Sequence, residues 1–284
     1  MPMSFPPFSC GLPFTGRQAG NKLKWLLASG EIRQLLNGVY VAVETPDTLE
    51  LRASAAALVI PAGAVACGET AAWLHGIDTT ALGPSTVRVQ WTREATEVVE
   101  LCGLRVISPI ATGVELAMQL PRPFALSAVD ALLRSGKADR WAIRAASAEH
   151  EGRPGIRQAS EILQYADRRA ESPGESWLRL RLIDAGFGQP QLQFRVKGPS
   201  RDYRIDAAYP TPIDDRRLGL EYDSDLWHTR DRDQARDETR RTELAALGWH
   251  IIPVRRTDLW GSYPALELAV GAFLCIWPSL PRRW

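Results

Sequence analysis

Long apolar runs are missing from this chain of 284 residues. The longest stretches, Ala53–Ile60 and Ala265–Trp277, are short or carry an acid (Glu267), so none is expected to span a bilayer. Cysteine is sparse. Cys10, Cys67, Cys102 and Cys275 stand far apart and form no Cys-x-x-Cys pair, which argues against a zinc site of the usual kind. Free thiols in a reducing compartment are the simple reading. A basic segment followed by a continuous apolar one is lacking at the start, where Pro2, Pro6, Pro7 and Pro13 interrupt the chain. No secretory signal is expected, and the expected location is the cytoplasm. Excess charge of one sign is lacking too. The 34 Lys and Arg nearly balance the 33 Asp and Glu, for a net charge of +1. Coating nucleic acid by bulk charge is therefore not expected, although a local basic groove is allowed. Neither internal repeats nor low-complexity tracts occur. What is present is an apolar content of 45% and a charged content of 24%, those of a soluble globular protein able to bury a core.

The predicted elements begin with a small helical unit over Phe14–Val43. Thr15 and Gln18 have capping-box spacing, a helix over Lys22–Ser29 ends at Gly30, and Ile32–Leu36, Asn37-Gly38 and Val39–Val41 read as a hairpin. Helices followed by a short hairpin are the plan of a winged helix. Further helices are predicted at Thr48–Ile60, Glu69–His75, Ala111–Gln119, Leu126–Ser135 and Asp139–Ala148, with strands at Val87–Trp91 and Leu104–Ser108. The turn-forming run Glu151–Gly155 marks the best internal boundary, and a helix over Ile156–Ala166 follows it. Ser172, Pro173 and Glu175 then open a helix that stops at Gly186. Strands at Gln191–Val196, Tyr203–Ala208 and Leu218–Tyr222, a helix over Asp231–Leu247 and a strand at Trp249–Pro253 complete an α/β sandwich. The expected fold class is α+β, with an N-terminal winged helix over 1–45, a mixed α+β region over 46–150, a linker helix over 151–170 and an α/β domain over 171–284.

Carboxylates within apolar strands carry the chemistry. A buried acid costs free energy unless something offsets it, and a divalent metal is the usual partner. Asp206 ends one predicted strand and Glu221 the next, Asp223 follows two residues on, Glu175 lies on the preceding helix, and His228 follows closely. Strand alternation would turn Glu221 and Asp223 to one side. Such a set could hold Mg²⁺ or Mn²⁺ and activate water against a phosphodiester, with His228 as proton carrier. Bland readings stand beside this one: Glu175 as a capping residue, and Asp223–Asp225 as a polar turn. The helix from Asp231 alternates in charge, and Arg236 and Arg240 share a face that is either solvated or borders a phosphate cleft. Arg179 and Arg181 are further phosphate candidates.

The segments Pro173–Ser176, Tyr203–Asp206, Leu220–Asp223, Trp227-His228 and Leu244–Trp249 resemble the very-short-patch-repair-like endonucleases of the PD-(D/E)XK superfamily, over about residues 170 to 260. The resemblance implies a restriction-endonuclease-like fold, Asp206 and Glu221 as metal ligands, Glu175 as the helix-borne acid, and Asp223 in the place of the superfamily lysine. Ser224 stands where many relatives have glycine. Phe14–Ala19, Gly30–Leu35 and Asn37–Val41 resemble the N-terminal winged-helix domain of AbiEi-type antitoxins, and Cys67–Gly76 resembles a Leu-His-Gly run of the same proteins. That likeness implies DNA binding through Arg17, Lys22, Lys24 and Arg33, with a helix in the major groove. The expected function is a metal-dependent DNA endonuclease. The alternative is a non-catalytic AbiEi-like antitoxin and DNA-binding regulator, with DNA, a cognate toxin or a second copy as partners and no membrane.

Overall fold

The computed structural model describes residues 11–77, 87–91, 97–199, 201–223 and 231–284, and for 231–237 the backbone alone. The chain divides into two units. One holds everything described up to Leu120 together with Ser135–Ser160; the other holds Pro121–Arg134 and Glu161–Trp284. This division departs from the expected boundaries at 45, 150 and 170. Residues 121–134 join the second unit, while 151–160 stay with the first.

In the first unit, β1 (Phe14–Thr15) leads into α1 (Gly16–Ala19). The Gln18 amide donates to Thr15 Oγ1 at 3.3 Å, and the Thr15 amide donates to Gln18 Oε1 at 2.7 Å. This reciprocal cap satisfies two amides that the short helix leaves open. A 3₁₀ turn over Gly20–Lys22 passes into α2 (Leu23–Ala28). The hairpin of β2 (Ile32–Leu36) and β3 (Val39–Ala42) turns at Gly38, whose φ of +79° suits glycine. β1 pairs with the other edge of β3, giving the order β1-β3-β2. Phe14, Ala19, Leu26 and Ile32 close a small core beneath it.

Thr48 caps α3 (Leu49–Ala57), and β4 (Val65–Ala66) precedes α4 (Gly68–Leu74). β5 (Val89–Gln90), β6 (Val98–Leu101) and β7 (Leu104–Ile107) complete a sheet of order β5-β4-β7-β6. Its core holds Val65, Leu74, Val106 and Ile107. His75, at the end of α4, is buried, and its Nε2 lies 2.8 Å from the Ile107 carbonyl. Ser108 caps α5 (Pro109–Gln119). α6 (Arg122–Arg134) belongs to the other unit, and the chain returns for α7 (Arg140–Ala148), capped by Asp139, and for the start of α8 (Ile156–Tyr165).

The second unit continues with α9 (Pro173–Asp184), capped by Ser172, then β8 (Gln191–Lys197), β9 (Asp202–Ile213) and β10 (Arg216–Asp223). α10 (Asp231–Ala246), β11 (Trp249–Arg255), α11 (Arg256–Trp260) and α12 (Ala265–Leu274) follow. The sheet runs β11-β10-β9-β8. Its neighbours are antiparallel except β10 and β11, which are parallel because α10 crosses between them. Leu244 of α10 packs with Tyr203, Ile205 and Trp249. Phe124 of α6 meets Trp177 of α9 edge-on at 5.8 Å, and Trp177 meets Trp260 at 5.4 Å. The whole is a mixed α+β protein. No helix among the described residues is long and apolar enough to cross a membrane.

Candidate functional site

Of the acids singled out from the sequence, Glu175, Asp206 and Glu221 lie near one another where the start of α9 meets β9 and β10, and each has a protein partner. Glu175 completes the cap of α9. Its amide donates to Ser172 Oγ at 3.2 Å, and its carboxylate accepts from Ser172 Oγ at 2.9 Å and from the Glu171 amide at 2.9 Å. Gln193 Nε2 donates to the same carboxylate at 2.7 Å. The capping role is thus the one the geometry displays. Asp206 accepts from the Tyr222 amide at 3.0 Å. Glu221 pairs with Arg240, which reaches back from α10 and also donates to the Arg204 carbonyl at 2.7 Å. Asp223 ends β10, in register with Arg255 of β11. His228 lies outside the described residues, as does the side chain of Arg236.

Strict alternation does not hold along β9. Tyr203, Ile205 and Ala208 all belong to one buried cluster, and a period of two cannot place 205 and 208 on the same face. Across the ladder, Gln193 sits at φ +52°. The irregularity lets Asp206 reach the backbone of β10.

Among the described residues, no group of three or more His, Cys, Asp or Glu is placed to hold a metal ion. Glu221, the expected ligand, is answered by a guanidinium. As their described side chains stand, Asp206, Glu221 and Asp223 are not grouped around one point.

Burial, with Glu175 and Glu221 nearby, pushes the Asp206 carboxyl up from 3.8 to about 7. The folded protein therefore holds this proton more tightly than the unfolded chain does. The associated stability is full below the unfolded value and is lost as pH rises through about 7. Asp206→Asn keeps an oxygen for the Tyr222 amide and removes the titration. The variant should gain melting temperature on the parent as pH rises from about 4 to about 7, and the gain should level off above. An unchanged difference across that range, measured by calorimetry, would refute the assignment.

Two other sequence candidates are corrected. Arg179 and Arg181 are buried and unavailable to a phosphate on the surface. Arg179 is wholly enclosed with Asp130 of α6, which also accepts from Ser176 Oγ at 2.6 Å and from the Asp167 amide at 2.8 Å. Arg181 donates to the Leu259 carbonyl, and its guanidinium lies 3.6 Å from the ring centre of Trp284. Burial and neighbouring Arg282 push its pKa down to about 10. Of the expected DNA contacts in the first unit, Arg17, Lys22 and Lys24 lie toward solvent, and Trp25 beside them is 61% exposed. Arg33 is half-buried and donates to the Thr45 carbonyl at 2.7 Å. Sequence reasoning overlooks Trp25, although its place between Lys24 and the apolar Leu26 is a readable signal.

Residues 84–165 match the AbiEi antitoxin C-terminal domain. This stretch covers neither the hairpin unit at the start nor the acid-bearing sheet. No solved structure matches. Two uncharacterized proteins of Mycobacterium tuberculosis, MT2308 of strain CDC 1551 / Oshkosh and Rv2248 of strain H37Rv, are each 38% identical to this chain over 244 residues, spanning 81% of it and 88% of the relative. The chain belongs to the family of these mycobacterial proteins, and it carries within it a stretch similar to the AbiEi antitoxin C-terminal domain.

Proposed function

We propose that this protein is a non-catalytic, antitoxin-like regulator that binds DNA through its N-terminal unit and a toxin partner through the AbiEi-like region. The observation that carries the reading is the match over residues 84–165. The N-terminal unit supports it. Its two short helices followed by a hairpin within a three-stranded sheet support a winged-helix reading, and Arg17, Lys22, Lys24 and Trp25 lie toward solvent on the helical part. Cations there suit phosphates, and an exposed indole suits a flat polar surface. Arg33, tied to Thr45, is left out of this set.

The test is binding of duplex DNA from the upstream region of its own gene, measured against salt. The Arg17→Ala, Lys22→Ala, Lys24→Ala variant should bind every sequence more weakly. Its log-log salt slope should flatten by roughly 0.9 for each phosphate that the variant no longer neutralises. Equal affinity and slope in parent and variant would sink the DNA-binding part. Failure to co-purify with a toxin encoded beside it would sink the other part.

Phosphodiester hydrolysis is the second reading. It is favoured by the nearness of Glu175 and Glu221 to Asp206, whose pKa is raised by burial first and by those carboxylates second. Plasmid nicking in Mg²⁺ or Mn²⁺ that disappears in Asp206→Ala would bring it forward.

A further inference from the structure

We propose that the cleft between the end of α7 and the start of α8 is a phosphate-binding site. Its volume is about 830 Å³, within the range of sites that enclose a nucleotide-sized ligand. All its walls lie in the first unit. Arg144 comes from α7, Arg153 from the connecting turn and Arg157 from the first turn of α8, and Ser147 and Ser160 also belong to the lining. Glu151 is the one carboxylate in the lining.

Several arginines of this protein are committed to a carboxylate. Arg52, Arg88, Arg122 and Arg240 each have a carboxylate partner. Arg144, Arg153 and Arg157 form no ion pair among the described residues, and Glu151 pairs with none of them. Three exposed guanidiniums lining one concavity, without a carboxylate partner, favour an anion among them. Their planar donor forks match phosphate oxygens. Gly152 and Gly155, at φ +78° and +86°, shape the turn so that the start of α8 lines the same cleft. The positive end of that helix adds to the field.

A phosphate group is the common chemistry, supplied either by a free nucleotide or polyphosphate or by a nucleic-acid backbone. The site does not depend on what the N-terminal unit or a toxin binds. The experiment titrates the full chain by calorimetry at low salt with pyrophosphate, ATP and a duplex of about 20 base pairs. The expected result is saturable binding of at least one probe, weakened at least tenfold in Arg153→Gln/Arg157→Gln and weakened also in Arg144→Gln. Circular dichroism should show the parent fold in both. Binding of pyrophosphate and ATP assigns a free ligand, whereas binding of duplex alone, retained in the Arg17→Ala, Lys22→Ala, Lys24→Ala variant, assigns nucleic acid. No saturable binding of any probe, or unchanged affinity in both cleft variants, overturns the proposal.

Discussion

Replacing Asp130 by alanine should destabilise the second unit by about 3–5 kcal/mol, enough to unfold many domains at moderate temperature. Asp130 and Arg179 are both 0% exposed. Truncation removes the carboxylate and leaves a guanidinium enclosed with no counter-charge. It also takes the acceptor of the Asp167 amide and leaves Ser176 Oγ only the more distant Ser172 carbonyl. The Asp130→Ala/Arg179→Leu double replacement should recover much of the loss, because the unpaired charge dominates the penalty. Urea unfolding of parent, single and double variants checks this. A single variant within about 1 kcal/mol of the parent would contradict the buried-pair account.

Gly155→Ala should be the next most costly, at about 2–4 kcal/mol, from two effects that add. Gly155 sits at φ +86°, where a side chain is strained. An added Cβ would also stand 2.3 Å from the Met118 carbonyl oxygen, and that obstacle is backbone, which cannot rotate away. The same denaturant titration measures the loss. Because Gly155 also lines the arginine cleft, the variant should lose phosphate affinity along with stability. Gly152→Ala is its control: it has a similar φ of +78° but no heavy atom within 4 Å of the added carbon, so it should cost only the smaller, backbone part.

Legibility from sequence follows the range of the interactions. Caps at Thr15, Asp139 and Ser172 and the turn at Gly38 are readable because donor, acceptor and turn residue lie within a few positions. β1 and β4, each two residues long, exist only through distant pairing and leave no periodic trace. The expected strand stops at Ala208, short of the observed Ile213, because Pro210 and Pro212 interrupt its apolar pattern, and the strand tolerates them. Arg179 misleads because Leu178-Arg179-Leu180-Arg181-Leu182 looks like a polar helix face, while its partner stands 49 residues earlier. Glu175, Asp206 and Glu221 lie close enough to act on one another's charge. Their commitments are hidden from the sequence, since Glu221 is answered from α10 and Glu175 by its own cap.

The interleaving of the two units governs how this chain can be made and cut. α6 is synthesised well before α9, the helix whose arginine needs its aspartate. During synthesis α6 must therefore wait, its aspartate unanswered, until Arg179, 49 residues further on, has left the ribosome. A fragment starting at 171 would carry an orphaned cation, and one ending at 165 an orphaned anion, so neither half is a natural unit for expression.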